Sequence, residues 1–398
     1  MCLSPNQSPA ARLLRTLAVM LIVLGWGDAA SASQPPEFAD AVRAIRAVGP
    51  EGRGNADATE AWRVLAAGDA TNLTAVLEAM DGANDFAVNW LRAAFDSIVG
   101  RTLDAGRSAP VADLGLFVLD TRHNPRARRL GFDLMARLDA ATANKLLAGM
   151  LNDPALELRC DAVQKVIDQA DQSLSSSNAA GATLLYQQAL NASRDVDQID
   201  HISKKLEGLG RPVDSLKLFG FLTQWRIIAP FDNTGKKGFD TAFPPEQQID
   251  FAQECDGKTN KVKWRDYVVS DKFGKVDMND AYGKLKEVTA YAATEFVSDR
   301  DQSVELRLGT GNSWKVWLNG KLLFGRDEYH YDSEIDQYSM PAQLQRGPNT
   351  ILVKICQNEL KEDWTVDWDF QLRVTDSLGD PIPSAAIAKA ATPATNPQ

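Results

Sequence analysis

A helical first half followed by an antiparallel β second half is the fold class this sequence predicts, and three observations carry it. From Pro35 to Gly210, apolar residues recur at the 3.6-residue spacing of amphipathic helices. Beyond Gly210-Arg211-Pro212 the spacing changes to two, the period of half-buried strands. The stretch SWKVWLNGKLLF, Ser313 to Phe324, then sets Asn319-Gly320 between two apolar runs. That pair is the strongest short hairpin signal, because a type I′ turn needs positive φ at both central residues. The expected division is a leader at 1–32, helices over 33–212, an antiparallel sandwich over 213–383 and a tail over 384–398.

The leader reads as a secretory signal. Arg12 and Arg15 precede an apolar run from Leu17 to Trp26 that is too short to span a bilayer, and Ala30-Ser31-Ala32 offers a small-residue cleavage site. No later stretch is apolar enough for a membrane helix, so the expected location is exported, periplasmic or extracellular. A formal net charge of −10 over 398 residues argues against non-specific nucleic-acid binding, which needs clustered Lys and Arg.

In the helical half, Asp57 with Glu60 forms a capping-box pattern ahead of AWRVLAA. Asp85 precedes a run whose Phe86, Trp90, Ala93, Ala94 and Ile98 share a stripe. Asn124-Pro125 and Asp153-Pro154 each place a cap before a proline suited to the first helical turn. Leu130, Leu134 and Leu138 follow the first pair, and Leu158, Ala162, Val166 and Ala170 follow the second. The segments NPRARRLGFDLMARLD (Asn124 to Asp139) and DPALELRCDAVQKVID (Asp153 to Asp168) resemble HEAT repeats, with a proline opening the helix and Arg128 or Arg159 after it. The resemblance implies an irregular α-solenoid, a curved surface for a protein partner or a spacer. Arg126, Arg128 and Arg129 form a small basic patch near His123, either a contact for an acidic partner or, as expected, the solvated intra-repeat pairing residues of such helices.

In the β half, strands are expected over Phe219–Phe231, Glu287–Val297, Gln302–Gly309, Asn349–Gln357 and Thr365–Asp376. The run NTILVKICQ is apolar enough to be buried on both faces. In the last strand Val366, Trp368, Phe370, Leu372 and Val374 are expected to face in, with Asp367, Asp369, Gln371 and Arg373 facing out. In the hairpin Trp314, Val316 and Leu318 share one face, and Lys315, Trp317 and Asn319 the other. The tail SAAIAKAATPATNPQ is low in complexity and expected to be disordered.

The segments VWLNGK (Val316 to Lys321) and Leu344…Gly347-Pro348-Asn349-Thr350-Ile351-Leu352-Val353 resemble the jelly-roll, galactose-binding-like accessory modules of secreted glycosidases. WRIIAPFDN (Trp225 to Asn233) and FPPE (Phe243 to Glu246) are similar to the start of such modules in exported bacterial HEAT-repeat proteins of unassigned function. The resemblance implies a sandwich that binds a sugar or braces a neighbouring domain, and it carries no ligand residue over.

Candidate residues are therefore read from the side chains themselves. Trp317, with Lys315 and Asn319 beside it, is either a platform on which a sugar ring stacks or a side chain packed under the loop 326–338. In that loop Tyr329, Tyr331 and Asp332, with His330 among them, suit a polar ligand. Asp232, Asn233 and Asp240 offer oxygen ligands to a structural Ca²⁺, against which Lys236 and Lys237 count. Cys255 and Cys356 either pair as a disulfide or remain buried thiols. His123, His201 and His330 stand in no metal or triad motif, and no other catalytic motif is present. The expectation is a noncatalytic exported binding protein, its helices meeting a protein partner and its sandwich a carbohydrate or envelope component. The alternatives are a scaffold without a small ligand and, behind it, a glycoside-active enzyme.

Overall fold

The computed structural model describes residues 36–330 and 332–385. The expected leader and the tail from residue 386 on lie outside the described residues. The chain divides at Pro110 into two compact units, 1–110 and 111–398.

The described part of the first unit forms α1 (Pro36–Arg46), α2 (Asn55–Ala66), α3 (Leu73–Glu78) and α4 (Asp85–Asp104). The Asn84 side chain accepts the Ala87 amide and so caps α4, which buries Ala87, Val88, Leu91, Ala94, Phe95, Ile98 and Val99. That face is turned from the expected stripe, for Phe86 and Ala93 are exposed. A 3.6-residue period fits neighbouring stripes almost equally well, and packing partners choose between them. The Asp57–Glu60 capping box is not formed. α2 starts three residues earlier, after a left-handed Gly54, which leaves Asp57 in the first turn where its charge suits the helix dipole.

The second unit continues with α5 (Val111–Leu119), α6 (Pro125–Leu138), α7 (Ala140–Leu147), α8 (Leu156–Ser175), α9 (Ala179–Ala192), α10 (Val196–Gly208) and α11 (Ser215–Phe219). Asn124 caps α6 as expected, its side chain accepting the Arg126 and Ala127 amides. Asp153 does not open α8, which begins at Leu156. Its carboxylate instead takes two 2.6 Å hydrogen bonds from Arg128, whose Nε donates to Val118 O at 2.8 Å. Arg128 is 1% exposed, so one member of the expected solvated patch is a buried strut. Arg129 pairs with Asp133 and Asp161 at the surface, as expected of such residues. No helix among the described residues is long and apolar enough to cross a membrane.

Strands follow as β1 (Gln224–Asp232), then β2 (Glu254–Asp256) and β3 (Lys261–Lys263) after the short helix α12 (Pro244–Gln247), and β4 (Arg265–Val268). Next come β5 (Val276–Asp277), α13 (Met278–Tyr282), β6 (Val288–Ser298), β7 (Gln302–Gly309), β8 (Ser313–Leu318) and β9 (Lys321–Arg326). The last three are β10 (Tyr338–Leu344), β11 (Gly347–Gln357) and β12 (Asp369–Thr375). A six-stranded sheet has the order β4-β1-β6-β11-β8-β9, a four-stranded sheet the order β10-β7-β12-β5, and β2-β3 form a separate ribbon. Every pairing is antiparallel. The two large sheets share one apolar core. Trp225, Ile227, Phe296, Trp314, Val316, Ile351, Val353 and Ile355 come from the first sheet, and Leu306, Leu308, Phe370 and Leu372 from the second. The β8–β9 turn forms as expected, with φ of 51° at Asn319 and 77° at Gly320.

Two segments depart from the expected pattern. Phe219 ends α11 instead of starting a strand, and with Phe221 and Ile199 it forms a cluster joining the last helices to the sandwich. β12 lies inside its sheet between β7 and β5, and it is buried on both faces. Asp369 is therefore buried, and Arg373 reaches Phe219 O and Gly379 O as well as Asp336.

Candidate functional site

The outer face of the six-stranded sheet positions the candidate site. Alternation puts Ile228, Tyr291, Ala293, Leu352 and Trp317 there, opposite the core, and they form a second apolar cluster with Phe231, Cys255 and Val262. The roof of that cluster is the excursion between β1 and β4, which contributes Phe243, Ile249 and Trp264. One lysine ties the roof down. Lys354, on the outward parity of β11 and fully buried, donates from Nζ to Phe239 O at 3.0 Å, Thr241 O at 2.8 Å and Glu246 Oε1 at 2.7 Å. The Tyr291 hydroxyl also donates to Glu246. Burial holds the Lys354 ammonium below the ordinary lysine range, with Glu246 pulling the other way. Burial and the same carboxylate push the Tyr291 hydroxyl far up.

The strand register sets out the rest of the face in rows. Trp317 pairs with Leu352, Leu352 with Ala293, Ala293 with Arg226 and Arg226 with Asp266, a straight line over five strands. Four spacings of about 4.8 Å make that line about 19 Å long. In the next row Thr350 pairs with Glu295 and Gln224 with Val268, and Asn319 donates its amide to Thr350 O. Glu295, Gln224, Val268 and Asn319 are exposed, so the roof stops at this row and leaves a bare strip across the strands.

Phe251 stands over the strip. It is 41% exposed and packs its ring edge-to-face on Trp264 at 5.3 Å between centroids. The Arg226 guanidinium lies 4.3 Å from its ring centroid and bonds Asp266 Oδ1 at 3.2 Å. Three clefts share this phenylalanine. One of about 290 Å³ runs beside Gln247, Gln248, Trp317, Asn319 and Thr350. A second of about 450 Å³ runs beside Gln224, Arg226, Thr294 and Glu295, and a third of about 410 Å³ lies between Arg226, Trp264 and Asp266. The strip thus offers an aromatic wall and a mixed floor, apolar at Trp317, Leu352 and Val268 and polar at Gln224, Arg226, Asp266 and Glu295, the makings of a site for a polyhydroxylated ligand.

The sequence-derived residues fall in different places. Trp317 is 7% exposed under the 243–264 roof, not under the loop 326–338, and only its edge reaches the first cleft. Asn319 lines that cleft, but its side chain is committed to the turn, donating to Asn349 Oδ1 at 2.9 Å and accepting the Thr350 amide at 2.9 Å. Lys315 lies in none of the three clefts and sits 4.1 Å from the Phe239 ring centroid. Tyr329 and Asp332 line a smaller cavity of about 150 Å³ at the end of the sandwich, with His330, Asn312, Gln357 and Asp369. Tyr331 lies outside the described residues. In that cavity the Gln357 amide donates to the Thr365, Val366 and Asp367 carbonyls, and Asn312 donates to Asp367 O and accepts the Asp369 amide. These buried amides hold the crossing into β12. Burial raises the Asp369 carboxyl, against a Lys275 ammonium 3.3 Å away.

The oxygen ligands considered for calcium are used in bracing a turn. Asp232 accepts the Thr234 hydroxyl and amide and pairs with Lys258 at 3.1 Å. Asn233 is buried, donating to Gln357 O at 2.9 Å and accepting the Gly238 amide, while Asp240 is exposed to solvent. Among the described residues no three His, Cys, Asp or Glu side chains gather into a metal-holding group. Cys255 and Cys356 are free thiols in the structure. Cys255 pairs with Val262 in the β2–β3 ribbon, whereas Cys356 pairs with Thr289 on β6 and accepts its hydroxyl at 3.4 Å.

Phe251, Arg226, Trp264 and Asp266 are the site residues that sequence reading missed. Phe251 is a lone aromatic in the polar run PPEQQIDFAQECD, and that isolation is the one signal it left.

No protein-family model matches the chain, and none of the curated proteins matches it in sequence. Among solved structures it is similar to a β-glucosidase from Kluyveromyces marxianus in complex with glucose, at 12% identity and TM-score 0.24, over 38% of this chain and 16% of that one. It is also similar to the GH31 α-xylosidase from Xanthomonas citri, at 13% identity and TM-score 0.19, over 39% and 16%. A third is a family 35 carbohydrate binding module from Clostridium thermocellum, at 15% identity and TM-score 0.17, over 22% and 72%. The chain thus spans about a sixth of the length of the first of these, 16% of it, and at such scores the likeness carries no functional argument.

Proposed function

We propose that the sandwich is a noncatalytic carbohydrate-binding domain and that glycans bind on the strip beside Phe251. The observation that carries this reading is the half-exposed Phe251 ring shared by three adjoining clefts, beside a row of exposed side chains in which Glu295 and Gln224 are polar and Val268 is apolar. An aromatic face gives a sugar ring a flat apolar contact, and the flanking amides and carboxylates bond its hydroxyls. The end cavity supports the reading less well, because its amides already bond the chain around them.

The proposal includes an exported location, resting on Arg12, Arg15, the apolar run to Trp26 and Ala30-Ser31-Ala32. It also includes a division of labour near Gly210–Pro212, with the preceding HEAT-like helices meeting a protein partner. Exposed Leu116 on α5 and Leu184 on α9 support that part. The glycan reading is tested by affinity electrophoresis of the full chain through a panel of soluble polysaccharides. Retardation by at least one of them, lost in Phe251→Ala at a temperature where circular dichroism shows the variant folded, is the expected result. No retardation by any, or equal retardation of the variant, refutes it.

A further inference from the structure

We infer that the ligand of this strip is an uncharged, extended glycan lying across the strands, an inference that rests on the reading of the strip as a glycan site. Its first ground is charge. A uronate or sulfated chain needs cations free to meet it, and among the described residues the strip's cations are already engaged. Arg226 is held between Asp266 and the Phe251 ring. Arg265 turns away, its guanidinium 3.7 Å from the Tyr282 ring centroid and donating to Ala281 O. Lys354 lies under the roof against Glu246. Glu295 remains exposed on the floor, a carboxylate that accepts hydroxyl hydrogen bonds and repels anions.

The second ground is shape. The clefts lie on both sides of Phe251, along a line of register from Asn319 and Trp317 on the β8 side to Asp266 on β4. A single ring fills one cleft and leaves the others wet. A chain threading past Phe251 fills them in succession, and the direction across the strands is the one in which the floor is continuous.

The test is calorimetric titration of the full chain with cello-, manno- and xylo-oligosaccharides of increasing length, alongside polygalacturonate and alginate. Affinity is expected to rise with length until the strip is filled and to be indifferent to salt, with no binding of the uronate polymers. Phe251→Ala is expected to weaken binding about tenfold or more, the size of a lost ring contact. Glu295→Lys, at an exposed position, is expected to fold normally and to admit the uronates. Wild-type binding of polygalacturonate or alginate overturns the uncharged ligand while leaving the glycan reading in place. A monosaccharide bound as tightly as its oligomers overturns the extended one. Binding of nothing in either series takes down the glycan reading itself.

Discussion

Trp317 and Phe251 show how differently two aromatic side chains on one face behave. Trp317 is enclosed by Leu352, Ala293 and the roof residues, and its replacement leaves a hole that the sheet cannot close. Trp317→Ala is expected to cost about 3–5 kcal/mol in urea unfolding, against about 1–2 kcal/mol for Phe251→Ala, which gives up one ring pair and one cation contact at a half-exposed site. Equal costs would contradict the burial described. Period two places Trp317 correctly on the face opposite Trp314 and Val316. It gives no information about the cover, because 239–264 has no apolar period and Phe251 no neighbour of its kind.

Asp336 is another residue with a clear physical signature. Burial alone would raise its carboxyl, but Arg373 and Arg307 outweigh that and hold it below the usual carboxylate range. A depressed folded value means that its contribution is complete above the unfolded pKa of about 4 and is lost as pH falls through the lower folded value. Asp336→Asn is expected to cost about 3–5 kcal/mol near neutrality, since it leaves buried guanidinium groups unpaired. In urea titrations that gap should shrink below about pH 4. A gap that stays constant into strong acid would show that the pair is not linked to folding. In the sequence Arg373 reads as outward on a strand, and the loop that receives it is a separate segment with no pattern to announce it.

At the scale of elements, the roof over the six-stranded sheet is held by a buried ionic contact together with the apolar packing of Phe243, Ile249 and Trp264. NTILVKICQ reads as a strand buried on both faces, and so it is, with Lys354 at 0% exposure inside it. A lysine there implies a partner, but Glu246 lies 108 residues away on a segment without strand or helix periodicity. β6, β7 and β8 were legible because each has one face on the common core, and β11 was legible from its nearly unbroken apolar run. The roof was not, since the polar part of its hold is three hydrogen bonds from a single ammonium group. Lys354→Met is expected to cost about 3–5 kcal/mol by taking the cation from a largely buried Glu246 carboxylate and leaving it the Tyr291 hydroxyl as donor. Lys354→Met with Glu246→Gln should cost less than the sum of the two changes, a coupling of about 0.5–3 kcal/mol in a double-mutant cycle. Strict additivity would mean that the roof is tethered some other way.

At the scale of the whole molecule, the change from helices to strands was legible at once, because hydrophobic period is a local property. Which helices belong with the strands was not. The compact units divide at Pro110, while α10 and α11 share the cluster of Ile199, Phe219 and Phe221 with the sandwich region. Arg194, between α9 and α10, pairs with Asp380 beyond β12. That last contact joins side chains 186 residues apart, and no window along the chain sees it.

The central claim is a place on that molecule, and hydrogen–deuterium exchange of the full chain with and without a bound polysaccharide locates it directly. Added protection is expected at 245–251, 264–266, 293–295 and 319–320, the segments that border the strip. Protection confined to 329–333 and 358–360, around the end cavity, would contradict it.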